Sequence, residues 1–239
     1  MIEIEKLQEL IDKSNKIVFF GGAGVSTESG IPDFRSQDGL YNQKYKYPPE
    51  QIISHTFFVH KTAEFYDFYK DRMLYLDAKP NVTHEALAKL EAKGKMLGIV
   101  TQNIDGLHQL AGSKVVYELH GSVLRNYCTK CHKFYDVNFI KNSNGIPTCS
   151  CGGVVKPDVV LYEEGLDESV IMGAVNAIEN ADLLIIAGTS LVVQPAASLI
   201  NYYNGKDIVL INKTPTPADY RATLCLHDSL GSVFGKLNI

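Results

Sequence analysis

Five short apolar, β-branched runs, each followed by glycine or polar residues, constrain the fold of this chain more than any other feature. They are Ile17 to Phe20, Leu97 to Val100, Val115 to Leu119, Leu183 to Ala187 and Ile208 to Ile211. A run that is apolar throughout predicts a strand covered on both faces, as strands in parallel sheets are. Helical patterns lie between several of the runs: His84 to Lys93, Glu168 to Asn180 with Asp167 placed to cap it, and Pro195 to Tyr203. Strand and helix in alternation imply an α/β fold built on a Rossmann-like, doubly wound parallel sheet.

Two stretches break the alternation. One is dense in Tyr, Phe and helix formers around the breaker Pro48-Pro49, and predicts a helical insertion at about 41–79. The other carries two close cysteine pairs and predicts a small zinc-binding module at about 124–162. The remaining segments, about 1–40, 80–122 and 165–239, form the core of a single domain 1–239, a length that one core can support.

Composition narrows the function. Hydrophobic residues at 45% and charged residues at 21% are those of a globular protein. A net charge of -4 with no Lys/Arg run argues against nucleic acid and anionic lipid as partners. No apolar run approaches the ~20 residues that span a bilayer, so no membrane segment is expected. Met1 to Ser14 reads as a helix with neither the basic start nor the apolar stretch of a signal peptide. An odd count of five cysteines, four of them paired closely, fits metal binding in a reducing compartment, and the cytoplasm is the expected location.

Ligands of doubly wound sheets bind outside the carboxyl ends of the strands. Here those ends read Gly21-Gly22-Ala23-Gly24, Thr101-Gln102-Asn103-Ile104-Asp105, His120-Gly121, Gly188-Thr189-Ser190 and Asn212-Lys213, a polar and glycine-rich rim. The loop of Gly22, Ala23 and Gly24 follows the first strand, where backbone amides and a helix N-terminus can hold a pyrophosphate. The hydride-carrier fingerprint is incomplete, because Thr27 stands where its third glycine belongs and no acidic residue closes a second strand about 20 residues on. A tight strand-to-helix turn without a ligand is the alternative reading of this loop.

Cys128-x-x-Cys131 and Cys149-x-Cys151, 17 residues apart, can place four thiolates around one tetrahedral Zn2+. Four protein ligands leave no open position, so such a zinc is structural. A redox Cys-x-x-Cys is the alternative, and it leaves the second pair unexplained. Cys225, in an apolar context, reads as a core residue. Among seven histidines only His120 stands at a strand end in the polar rim, where a general base is useful near neutral pH.

These residues together resemble the sirtuin family of NAD-dependent protein lysine deacylases over nearly the whole chain. The resemblance rests on Gly22-Ala23-Gly24-Val25-Ser26, Gly30-Ile31-Pro32-Asp33-Phe34-Arg35, Thr101-Gln102-Asn103-Ile104-Asp105-Gly106-Leu107-His108, His120-Gly121, Gly188-Thr189-Ser190 and Ile211-Asn212, in that order around the cysteine pairs. It implies NAD as co-substrate, contacted by Gly22, Ala23, Gly24, Thr27, Asp33, Phe34, Arg35, Tyr41, Gln102, Gly188, Thr189, Ser190, Asn212 and Lys213, with Asp228 a candidate near the adenine end. Ile104 and Asp105 would hold the nicotinamide amide. His120 would act as general base on the ribose hydroxyls, with Asn103 ordering the ribose or a water. Proteins carrying acetyl-lysine would be the substrates, and free lysine, nicotinamide and O-acyl-ADP-ribose the products.

The chain also departs from the family pattern. Tyr162-Glu163-Glu164 stands where many sirtuins have Phe-Gly-Glu, in the segment with Val160 that would pair with the substrate peptide. Members that prefer succinyl or malonyl groups carry Tyr-x-x-Arg in the insertion, whereas matching back from Lys79-Pro80-Asn81 gives Tyr66-x-x-Tyr69 here. The missing cation predicts deacetylation over desuccinylation. An ADP-ribosyltransferase using the same NAD cleavage, and a non-catalytic NAD-binding scaffold, are the competing readings; a hydride-transferring dehydrogenase is disfavoured by the incomplete fingerprint.

Overall fold

A computed structural model describes residues 2–34, 39–40 and 45–239. Arg35 and Tyr41, both expected at the NAD site, lie outside the described residues.

Along the chain, α1 (Ile2–Lys13) leads into β1 (Ile17–Gly21). Three helices of the insertion follow: α2 (Pro49–Ile52), α3 (His55–His60) and α4 (Thr62–Arg72). Next come α5 (Val82–Ala92), β2 (Met96–Thr101), α6 (Leu107–Leu110) and β3 (Val116–Glu118). The cysteine module contains β4 (Gly121–Cys128), β5 (Phe134–Asp136), α7 (Val137–Asn142) and β6 (Val155–Val159). The chain ends with α8 (Glu168–Glu179), β7 (Leu183–Ala187), β8 (Asp207–Ile211), β9 (Leu224–Leu226) and α9 (Leu230–Phe234).

The main sheet runs β3-β2-β1-β7-β8-β9 and every pairing in it is parallel. Strand order reverses between β1 and β7, which align residue for residue from Ile17↔Leu183 to Gly21↔Ala187. That reversal puts a crevice above the carboxyl ends of these two strands. Successive residues of β1 point to opposite faces: Ile17 and Phe19 join the core under α1, α5 and α9, while Val18 and Phe20 join the core under α8. Both faces are covered, so both positions are apolar, which is why the run carries no polar alternation. Fully burying each phenylalanine contributes about 1.5–3 kcal/mol.

Helix starts follow their caps. Asp167 accepts the Val170 N–H at 3.0 Å at the head of α8. At α5 the cap is Asn81, whose side chain accepts from Thr83 N–H while its own N–H donates to His84 Nδ1 at 3.2 Å.

Several expectations need correction. Directly after β1 the chain makes two 3-10 turns, Ala23–Val25 and Thr27–Ser29, in place of an α-helix, so the glycine loop has no long helix dipole behind it. Pro195 to Tyr203 is also a 3-10 segment, Ala196–Tyr202. The strand β9 escaped notice because three residues show no readable period. The cysteine module forms its own antiparallel sheet, β5-β4-β6, and its core is continuous with that of the insertion. Phe58, Phe65, Tyr66 and Tyr69 of the helices pack in one cluster with Cys128, Ile140, Cys149 and Val155 of the module. Lys70 Nζ, donating to the carbonyls of Ser143 and Gly145 at 2.6 and 2.7 Å, pins the two together.

Candidate active site and zinc centre

The crevice above β1 and β7 opens into a cleft of about 1220 Å³. Its floor depends on two glycines. Gly24 N–H donates to Gly188 O at 2.8 Å, and a Cβ on Gly24 would lie 2.7 Å from Gly188 Cα. Gly188 has φ +59°, and a Cβ there would lie 2.6 Å from Val25 N. The two loops therefore meet backbone to backbone, and only glycine fits at either side.

Gln102, at the end of β2, ties the rim together: its N–H reaches Gly21 O at 3.0 Å and its side chain donates to Thr189 Oγ1 at 2.9 Å. Ala23, Thr27, Asp33, Phe34, Ser190, Asn212, Lys213 and Asp228 also line the cleft, with Gly22 and Ile104. The structure thus brings all the described candidates for NAD into one cavity. Asp228 additionally accepts from Ser229 N–H at 2.7 Å, which fixes its carboxylate at the start of α9.

The three residues assigned to chemistry converge in this cleft. His120 Nδ1 lies 2.9 Å from Gln102 O. A carbonyl only accepts, so Nδ1 carries the proton and the Nε2 lone pair is left available as a base. Burial lowers the imidazole's proton affinity below the ordinary histidine value, partly opposed by the Gln102 carbonyl. Gly121 follows in a left-handed conformation (φ +74°), and a Cβ there would meet Asp158 O at 1.9 Å, so the position admits only glycine. Asn103 is buried and donates to Ser26 Oγ at 3.0 Å, and that hydroxyl donates onward to Asp105 Oδ2 at 2.6 Å. Asp105 Oδ1 takes the Leu107 N–H at 2.9 Å.

Ser26, 1% exposed, is the residue that sequence reasoning passed over. It stood inside the quoted Gly-Ala-Gly-Val-Ser run, but nothing in one dimension connects it to Asn103 and Asp105, 77 and 79 residues away.

The opposite wall comes from the chain beyond β6. Val160 N–H donates to His120 O, Tyr162 N–H to Ile53 O, and His55 N–H to Tyr162 O, each at 3.0 Å. Tyr162 therefore has both backbone groups engaged with the insertion. Val160, Tyr162, Glu163 and Glu164 all line the cleft. Of the tyrosines compared with an acyl-selecting pair, Tyr66 is buried and donates to Val155 O at 2.5 Å, away from the cleft, while Tyr69 lines it. One helical turn on, Arg72 also lines the cleft, its Nε 2.6 Å from Asp71 Oδ2 and its guanidinium 5.7 Å from the Tyr45 ring centre. The cleft wall thus holds a cation that the spacing match did not place there.

The four cysteines of the module meet at a single point. All four Sγ atoms lie within 4.8 Å of one another, with Cys128 to Cys151 at 3.4 Å and Cys131 to Cys149 at 3.6 Å. A disulfide needs ~2.05 Å, whereas the edge of a tetrahedral Zn–S4 site is about 3.8 Å. The donor set fits a structural zinc, and its closed geometry keeps the metal out of the chemistry.

The chain matches the Sir2 family model over residues 22–195. It is 64% identical to the NAD-dependent protein deacetylase of Clostridium perfringens over 239 residues, covering 98% of each chain. The NAD-dependent protein deacetylase of Staphylococcus aureus is 46% identical, again over 98% of each. Among solved structures, a Sir2 complex with a p53 peptide and NAD+ superposes with TM-score 0.87 at 40% identity, covering 98% of this chain and 96% of that one. A Sir2 complex with deacetylated p53 peptide and 3'-O-acetyl ADP ribose gives TM-score 0.90 at 39% identity over the same shares.

Proposed function

The chain belongs to the Sir2 family and is an NAD-dependent protein deacetylase, and within that activity we propose that His120 is the general base, with Asn103 and Asp105 ordering the reacting end of NAD. NAD supplies the ADP-ribosyl group: its bond to nicotinamide breaks, one water is consumed, and the acetyl group passes from the lysine nitrogen to a ribose hydroxyl, leaving free lysine, nicotinamide and O-acetyl-ADP-ribose. The arrangement of His120 carries the reading. With Nδ1–H held by the Gln102 carbonyl, Nε2 is fixed as the proton acceptor, and burial keeps the ring neutral at physiological pH. Asp105, fastened by Ser26 and Leu107 N–H, retains lone pairs for an amide donor. Ile104 beside it presents an apolar edge suited to a flat ring.

The glycine loop, Gln102 and Thr189 support the pyrophosphate and ribose end; Asn212, Lys213 and Asp228 support the adenosine end. Along the opposite wall, the Val160 carbonyl and the Glu163 backbone are left to receive an extended peptide by strand addition. We place acetyl-lysine proteins there as partners, and treat the chain as one catalytic domain braced by zinc. A cytoplasmic setting is supported by cysteines that are not joined in disulfides. Among the described residues no helix is long and apolar enough to cross a membrane.

The deciding experiment incubates the protein with an acetyl-lysine peptide and NAD, following peptide mass and nicotinamide release, beside His120→Ala. Loss of the acetyl group together with nicotinamide release, abolished in the variant, is the expected result. Transfer of ADP-ribose to protein without deacetylation would overturn it.

A further inference from the structure

Glu163 holds a backbone conformation that its residue type avoids. Its φ is +78°, in the left-handed region where glycine is at ease. The side chain reaches out of this turn, and Oε2 accepts the Thr56 N–H at 2.8 Å. That amide lies in the first turn of α3, where N–H groups have no partner inside the helix. The three amides at this end divide among three acceptors: His55 donates to Tyr162 O, Thr56 to Glu163, and Phe57 to Ser54 Oγ. Two of the three thus go to the cleft wall. Glu164 adds a second fastening, taking the Leu161 N–H at 2.9 Å while its oxygens lie 2.8 Å from His55 Nδ1 and 3.0 Å from Lys156 Nζ.

We propose that Glu163 is a positioning residue for the peptide: its carboxylate latches the wall of residues 160–164 to α3 and holds the wall's open backbone groups in the shape an extended peptide must meet. This inference rests on the reading of the chain as a protein deacetylase and names what prepares its peptide site. A glutamate without the latch has every reason to leave the left-handed region, and the turn would relax with it. Ordering the wall in advance spares the peptide that cost on binding, an effect that falls on KM and not on kcat. Neither Glu163 nor Thr56 is bonded to His120, Asn103 or Asp105.

Glu163→Gly is the primary test, because glycine accepts φ +78° without strain, so the substitution removes the carboxylate without forcing the backbone. Its KM for an acetyl-lysine peptide should rise about five- to tenfold, with kcat and the KM for NAD held within about twofold. Glu163→Gln, whose amide oxygen can still accept the Thr56 N–H, should bring the peptide KM back to within about threefold of the wild-type value. Without any substrate, hydrogen exchange at the Thr56 amide should quicken in Glu163→Gly and stay slow in Glu163→Gln. An unchanged peptide KM in the glycine variant, a kcat that falls with it, or unaltered Thr56 exchange would each overturn the latch. A wild-type protein that fails to deacetylate peptides would overturn the functional reading instead, and the exchange result at Thr56 is read independently of it.

Discussion

The Ser26 hydroxyl donates to Asp105 Oδ2 at 2.6 Å and, through the same oxygen, accepts from Asn103. One buried serine on the glycine loop therefore sets the orientation of two side chains at the end of β2. Ser26→Ala leaves both without this partner at little change in volume. We expect kcat/KM for deacetylation to fall roughly 10- to 100-fold, equivalent to about 1.4–2.7 kcal/mol. A melting temperature close to wild type would show that the loss is one of alignment. Undiminished kcat/KM would remove Ser26 from the site.

The pH profile should report His120. Burial depresses its pKa, so the free base persists to lower pH than an exposed imidazole allows. The acid limb of kcat/KM should consequently lie below pH ~6.5. His120→Ala should abolish that limb together with the activity. An acid limb centred above the ordinary histidine range would contradict the assignment.

Two other histidines tie stability to pH. His84 and His108 lie with ring centres 4.7 Å apart, and burial lowers their pKa values to about 4 and about 3. Unfolded, both would take protons near pH ~6.5. Between that value and about 3 the unfolded chain binds more protons than the folded one, so stability falls as pH falls through this window. His108→Phe, keeping a ring against Phe19, should flatten the decline in melting temperature between pH ~6.5 and ~4.5. An identical slope in variant and wild type would rule the pair out as its source.

Removing zinc should disturb more than the cysteine module. Cys128 and Cys149 share a core with Phe65, Tyr66 and Tyr69. Metal analysis should find one zinc per chain, lost in Cys128→Ala. Hydrogen exchange should then accelerate across α4 as well as around β4 and β6. Full protection of α4 in the metal-free protein would show that the two parts are independent.

Acyl selectivity follows from Tyr69 and Arg72. Arg72 already faces the Asp71 carboxylate and the Tyr45 ring, so an acidic acyl group would have to displace an existing partner. A succinyl-lysine peptide should show kcat/KM at least ~10-fold below its acetyl counterpart. Equal efficiency would identify Arg72 as a carboxylate receptor.

The parallel sheet was legible because doubly buried strands such as Leu183–Ala187 carry a pattern that no surface strand shares. The cleft was legible for the same reason, since the strand ends fixed where Gly22, Gln102, His120 and Gly188 must gather. What sequence reasoning missed is what depends on pairing across distance. Leu224–Leu226 is too short to show a period and is a strand only because β8 lies beside it. The shared core of Tyr66 and Val155 joins segments 89 residues apart. Ser26 is unremarkable until Asp105 folds against it.

Gly24 and Gly188 each fill the space that the other's side chain would need. A larger residue at either position cannot be offset by a smaller one at its neighbour, since nothing is smaller than glycine. Stepwise drift is therefore closed at the floor of the cleft. Descendants of this chain can diversify in what they accept through the far wall, whose shape is set by the side chains of Tyr69, Arg72 and Glu163 and not by bare backbone.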